Sequence, residues 1–535
     1  MRVSPTERAA ALFATALLLG LVAIPTGAAP LAAASGLLWL VLGGCYAHAA
    51  RLGRLARRER LSFSWRLAPR STGGATPVAG APVRLLGEFR QEGPRPRELR
   101  ELRPVAPPGV RVEPVPRLLV PPAGRARFTL EPTASAAGRH RLMGLSARLA
   151  GPLGLFEVPL YFPYPIQLVA LPRPWPLPSR RGPRPSARTA GQSRHHVRGA
   201  GLELHELREL LPGDPYHAIA WKPSARLGRW IVREVEREVQ RTRWLLVDVS
   251  GTLRGGEPGH RKLDAALGLA RASAERWLAH GDRVGLVTLD ARILSWVGPD
   301  DRPAHARRLV GALLDATSGV DTDLTALDDD AVASLVLRHL RLHDGLVPSR
   351  RPGSRDVDPV ELAARLARRA EPGAAELASG IRADRPEARL LRAFCKVRGI
   401  PLPWRADPPA GAKDRAFGEA LERLARGRPV PDEIVLITDA DGMEPFERML
   451  PPIGALRRHG CRTRVVLLPP LGLPPREGRL REALVTVYEL DEARRLAAAR
   501  RALQRAGAQT WSPPRRTQAA TGPSSRPTSS SSEAA

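Results

Sequence analysis

Cysteine is nearly missing from this sequence: Cys45, Cys395 and Cys461 are the only three in 535 residues, and no two form a C-x-x-C pair. That excludes a disulfide framework and a cysteine-ligated zinc site. Aromatic residues reach only 4%. They do not interleave with the basic residues, so no platform for stacking single-stranded bases is visible. Lysine is as scarce, because of 83 basic residues only Lys222, Lys262, Lys396 and Lys413 are lysines, which leaves 79 arginines spread through every segment. The formal net charge of +29 therefore reflects an Arg, Ala, Pro and Gly bias of the kind a GC-rich genome produces. No specific nucleic-acid partner is expected; a basic membrane-tethered nucleic-acid binder remains an alternative, to be tested by the salt dependence of binding.

Charge itself is missing from Ala9 to Ala50, which contain no Asp, Glu, Lys or Arg. One membrane-crossing helix needs roughly 20 apolar residues. A run of this length, broken by Pro25, Thr26, Gly27 and Pro30, predicts two helices and a tight turn. Arg2 and Arg8 precede the first helix, while Arg51, Arg54, Arg57, Arg58 and Arg60 follow the second. Basic flanks stay in the cytoplasm, and those after the second helix suit anionic headgroups. Residues 1–60 thus predict a two-span hairpin in the inner membrane, with the soluble domains on the cytoplasmic side.

Residues 61–172 alternate short apolar stretches with Pro and Gly. In Arg125-Ala-Arg-Phe-Thr-Leu130 every second residue is apolar, which is strand periodicity, and a small β-rich, sandwich-like domain is expected. Residues 173–198 fill with Pro, Arg and Ser and predict a linker. Residues 199–242 form a separate segment, considered below. Strands and amphipathic helices then alternate over residues 243–505, beginning with Trp244–Ser250 and a helix whose face carries Leu263, Leu267, Ala270, Ala274 and Trp277. That alternation predicts an α/β fold, a doubly wound, mainly parallel sheet covered on both faces. Residues 345–430 read as a helical insertion and residues 506–535 as a disordered tail.

Ligands of such sheets bind beyond the carboxyl ends of the strands. The first strand ends in Asp248-Val-Ser250-Gly-Thr252, a later one in Asp439, and Thr322 lies in a loop between them. One carboxylate with two hydroxyls, a third hydroxyl and a second carboxylate make a hard oxygen set that suits Mg²⁺ or Mn²⁺. Asp248 is expected to lie in a strand-end loop, so that Asp248→Ala leaves the fold largely intact. These residues resemble the metal-ion-dependent adhesion site of the von Willebrand factor A domain, whose D-x-S-x-S, threonine and aspartate loops match Asp248, Ser250, Thr252, Thr322 and Asp439, with Thr252 in place of serine.

A second resemblance lies in Gly201-Leu-Glu-Leu-His-Glu-Leu-Arg-Glu-Leu-Leu-Pro-Gly-Asp214 and Ile219-Ala-Trp-Lys-Pro-Ser-Ala-Arg226. Together with Pro152-Leu-Gly-Leu-Phe156, they are similar to the bacterial family called domain of unknown function 58, over roughly residues 60 to 470. Gly151, Pro215, His217 and Ala220 depart from its usual Asp, Asp, Arg and Asp. Glu206, Arg208, Trp221 and Arg226 are expected to pack and pair between the domains. The resemblance implies a role, not a reaction: a protein-binding adaptor or scaffold working with a MoxR-type AAA+ ATPase in protein assembly or regulation. The enzyme alternative is a phosphohydrolase of the haloacid dehalogenase type using Asp248. That chemistry needs a second acid two residues on, where this chain has Ser250, so no catalytic residue and no enzyme are expected.

Overall fold

The computed structural model describes residues 3–58, 61–68, 76–175, 196–210, 216, 219–238, 240–344, 358–368, 373–469 and 479–513. Most of the expected linker, and the chain beyond Pro513, lie outside the described residues.

Two N-terminal helices, α1 (Glu7–Thr26) and α2 (Ala29–Arg58), are each long and apolar enough to cross a membrane. Thr6 caps the first, its hydroxyl accepting from the amide of Ala9 at 3.4 Å, and Gly27 ends it in the left-handed conformation, φ 61°, which glycine adopts without a Cβ penalty. Leu18, Leu21 and Leu40 point outward, each at least 65% exposed. Small residues let the two helices approach closely: the Ser35 hydroxyl donates to the Ala16 carbonyl at 2.8 Å. Ser4 and Pro5, just before α1, pair antiparallel with Glu157 and Phe156, so the chain on either side of the hairpin meets in one sheet.

That sheet has five antiparallel strands, in the order 4–5, 156–162, 144–150, 97–105 and 115–120. A three-stranded sheet of Ser62–Leu67, Leu85–Arg90 and Arg125–Leu130 shares its core. In Arg125–Leu130 the apolar residues are buried and the alternate ones exposed. Phe63, Trp65, Phe89, Phe128 and Leu145 fill the space between the sheets, with Ala49 of α2 packed against them.

Beyond an antiparallel hairpin of His196–Glu209 and Ile231–Glu238 lies a six-stranded sheet. Its strands are β1 (Thr242–Asp248), β2 (Arg283–Leu289), β3 (Ile293–Asp300), β4 (Glu433–Thr438), β5 (Arg462–Leu467) and β6 (Gln509–Trp511). The order is β3-β2-β1-β4-β5-β6, parallel throughout except for β3, which turns back antiparallel on β2. Leu245 and Val247 face α3 (Lys262–Ala279) and α4 (Pro303–Asp315) on one side. Trp244 and Leu246 face α6 (Ala412–Arg426) and α7 (Leu450–Arg458) on the other, after α5 (Asp329–His343) has left the sheet layer. A last helix, α8 (Arg479–Arg505), closes that second face through Ala499 and Leu503.

Expected boundaries move: a strand already begins at His196, inside the expected linker. The tail expected from residue 506 begins later, because Gln509–Trp511 extends the sheet beside β5 and Trp511 packs on the first core. The insertion expected at 345–430 is also shorter at its end. Helices 359–368 and 386–398 pack with α5 in a separate cluster, but α6 covers the main sheet through Phe417 and Leu421.

Candidate functional site

The carboxyl edge of the large sheet gathers four of the five expected residues. Asp248 ends β1, and Asp439 directly follows β4, which runs beside it in parallel. Asp248 Oδ1 accepts from the Ser250 amide at 3.0 Å, the Ser250 and Thr252 hydroxyls lie 3.0 Å apart, and the Thr252 hydroxyl donates to Asp439 Oδ1 at 3.2 Å. Thr322 is not tied into this set. Its amide donates to the Arg382 carbonyl, its buried Oγ1 has no hydrogen-bond partner among the described residues, and its neighbours Asp321 and Asp323 pair with Arg292.

Three further residues complete the cluster, and none stood out in the sequence. Thr438 donates its hydroxyl to Asp248 Oδ2 at 2.6 Å. Lys262, the first residue of α3, reaches Asp439 Oδ2 at 3.5 Å and also pairs with Glu492 of α8. Most consequential is Lys413, near the start of α6. Its ammonium lies 2.7 Å from Asp248 Oδ2, 2.8 Å from Asp439 Oδ1, 3.1 Å from Thr252 Oγ1 and 3.0 Å from the Asp441 carbonyl.

The cluster is largely buried, with Thr252 half-buried at its rim. Asp248, Ser250 and Lys413 have no exposed surface, and Asp439, Glu492 and Lys262 keep 5 to 8%. Burial alone would push the Lys413 ammonium down, but the Asp248 and Asp439 carboxylates outweigh it and hold it above the ordinary lysine value. Burial opposes ionisation of Asp439 too, yet Lys413 and Lys262 keep its carboxyl below the usual range. Nearby Asp290 is pushed up by burial and by Asp248, against the indole of Trp404, which donates to it at 2.9 Å. A lid closes over the motif, since a Cβ at Gly251 would run into the carbonyl oxygens of Arg405 and Ala406. Asp248 is therefore part of the core and not of an open loop, which reverses the expectation that Asp248→Ala would leave the fold intact.

The expected Mg²⁺ or Mn²⁺ does not fit this arrangement, because Lys413 bridges the two carboxylates that would ligate the ion. A divalent ion about 4 Å from the ammonium would meet roughly 8 kcal/mol of repulsion at an effective dielectric of about 20.

The chain thus combines two helices able to cross a membrane, an antiparallel β-rich region and a mainly parallel α/β sheet with D-x-S-x-T at its carboxyl edge. Residues 206–339 match the model of the family described as "Protein of unknown function DUF58". The match takes in Asp248, Ser250, Thr252 and Thr322 and stops short of Lys413 and Asp439. No curated protein matches the chain. Among solved structures, the FixG-related protein from Vibrio parahaemolyticus is 10% identical over 20% of this chain and 94% of its own, with a TM-score of 0.15. BslA, a bacterial hydrophobin, is 14% identical over 20% of this chain and 93% of its own, with a TM-score of 0.13. Likenesses this slight carry no argument.

The matched segment holds a further feature that differs from expectation. Trp221 was expected to pack between domains, but it is 59% exposed and meets Trp230, 56% exposed, edge to face at 5.8 Å. Leu227 beside them is 54% exposed, and Arg226 is exposed as well. The side chains of Glu206 and Arg208 lie outside the described residues.

Proposed function

We propose that the chain is a membrane-anchored, non-enzymatic protein-binding adaptor or scaffold, built on a doubly wound sheet of the von Willebrand factor A type. Its two helices form a hairpin with both ends in the cytoplasm, and its partner is a MoxR-type AAA+ ATPase engaged in assembling or regulating other proteins. The observation that carries this reading is the exposed Trp221, Leu227 and Trp230 group. In a chain with few aromatics, apolar side chains left in water within one short segment fit a protein-binding face, and tryptophan is enriched where binding energy concentrates. The hairpin topology is supported by the Ser4–Glu157 pairing, which places the residues before α1 beside those after α2, and by the basic flanks. The non-enzymatic reading is supported by Asp248, whose carboxylate is buried and bound by Thr438, Lys413 and the Ser250 amide, a poor position for a nucleophile.

The test is crosslinking of the full chain in native membranes followed by mass spectrometry, wild type beside Trp221→Ala/Trp230→Ala. Crosslinks to a MoxR-type ATPase, lost in the variant at unchanged thermal stability, are expected. Phosphatase turnover that Asp248→Asn abolishes at unchanged thermal stability would place the chain among enzymes instead.

A further inference from the structure

We infer that Lys413 is the resident cation of the Asp248–Asp439 pair, so that the adhesion-type motif of this chain is a latent divalent-cation site held shut by an internal ammonium. The inference rests on reading the motif as adhesion-type and goes further, naming what occupies it and what removal of the occupant would release.

Four oxygens surround the Lys413 nitrogen, two of them from the carboxylates that the motif would offer a metal and one from its hydroxyl Thr252. The ammonium thus takes up three of the five expected ligands, both carboxylates among them. Its N–O separations of 2.7 to 3.1 Å exceed the 2.0–2.1 Å of Mg²⁺–O bonds, so the same oxygens must draw inward to hold an ion. Choice of residue points the same way. In a chain with four lysines and 79 arginines, two of the four lysines converge on Asp439. An ammonium is a compact point charge that fits between two carboxylates where a planar guanidinium does not.

The lysine is also fixed from behind. Asp414, the next residue, accepts from the amides of Arg448 and Met449 at 2.8 and 3.1 Å, which pins the start of α6 against the sheet. The segment at Arg405 and Ala406 presses on Gly251 from above. Asp248, Asp439 and Glu492 face Lys413 and Lys262 in the buried part of the cluster. With Lys413 neutralised, three carboxylates would face one ammonium, an excess that one divalent ion cancels.

The experiment titrates the detergent-solubilised full chain with Mn²⁺ and follows free Mn²⁺ by electron paramagnetic resonance. Wild type is expected to take up no Mn²⁺ at the motif, whereas Lys413→Ala takes up about one per chain through the freed carboxylate oxygens and Lys413→Ala/Asp248→Asn loses it. If Lys413→Ala fails to fold, Lys413→Met keeps the side-chain length without the charge and is expected to behave alike. Uptake by wild type that Asp248→Asn abolishes would overturn the inference, and so would a folded Lys413 variant that gains none. Failure to crosslink an ATPase would sink the adaptor reading and leave these titrations as they stand.

Discussion

Lys413 and Asp248 form an ion pair 2.7 Å long in which neither side chain has any surface in contact with solvent. Removing one partner of such a pair leaves a buried charge uncompensated and costs about 3–5 kcal/mol, whereas replacing both by apolar groups of similar volume is often close to neutral. Lys413→Met is expected to lower stability by about that amount and Asp248→Leu by less, because Asp439 still faces Lys413 at 2.8 Å; the double variant, which leaves Asp439 with Lys262 alone, is expected to lose less than the sum of the two. Denaturant unfolding of the full chain in detergent, followed by tryptophan fluorescence, supplies the cycle. Additive losses would mean that the pair does not act as a unit.

How far the sequence reveals this molecule depends on how local the signal is. The face of α3 is visible at once, because Leu263, Leu267, Ala270, Ala274 and Trp277 recur at helical spacing, and all five are buried. Asp248, Ser250 and Thr252 are visible because one turn holds them. Lys413 is not, since it follows Thr252 by 161 positions in an Arg- and Ala-rich helix, where a lysine ordinarily faces water. The rarity of lysine in this chain was the available signal. Strand β3 is not legible in the sequence because the return from Leu289 to Ile293 is a short turn without a glycine, and β6 is not because three residues carry no periodicity.

His339 is expected to contribute to the loss of stability in acid. Burial first, then His343, Arg398 and Arg141, push its imidazole down to about 4, while an unfolded histidine titrates near 6.5. Between those values the unfolded chain binds a proton that the folded chain refuses, so stability falls as pH drops from about 6.5 to 4. His343, also shifted down by burial and joined to the Tyr161 hydroxyl at 2.7 Å, acts in the same direction. Melting temperatures between pH 7.5 and 4.5 should decline in wild type and decline less in His339→Gln. Parallel curves would exclude His339 as a cause.

The pairing of Ser4 with Glu157 yields a test of the hairpin. Ser4→Cys/Glu157→Cys is expected to crosslink on mild oxidation in native membranes, and reporters at Arg60 and at the C-terminus should both read cytoplasmic. A periplasmic signal from either would exclude two spans with both ends inside.

Strand β6 predicts a sharp boundary near the C-terminus. A chain ending at Ala508 loses Gln509–Trp511, their register with Arg464–Val466 and the packing of Trp511 on the first core. Relative to a chain ending at Pro513, it should melt several degrees lower, since a kcal/mol of lost stability shifts Tm by about 2–4 °C in domains of this size. Identical melting curves would show that the strand contributes nothing.

Gly251 is predicted to be irreplaceable for reasons of space. Its backbone is not in the left-handed region, so alanine would meet no torsional strain there. The obstacle is the backbone of Arg405 and Ala406, whose carbonyl oxygens occupy the place of a Cβ. Those residues are held by more than this contact, as the Arg405 amide donates to Leu324 at 2.8 Å, Trp404 donates to Asp290, and the Arg254 guanidinium stacks 3.4 Å from the Trp404 ring centre. Overpacking of this kind typically costs about 1–3 kcal/mol, and relief requires the 405–406 segment to lift from the motif. Gly251→Ala is therefore expected to destabilise the chain and to raise amide exchange in residues 404–406, which press on the motif at Gly251. Hydrogen exchange with mass spectrometry reads both effects. Unchanged exchange in that segment would show that it does not act as the lid of the cluster.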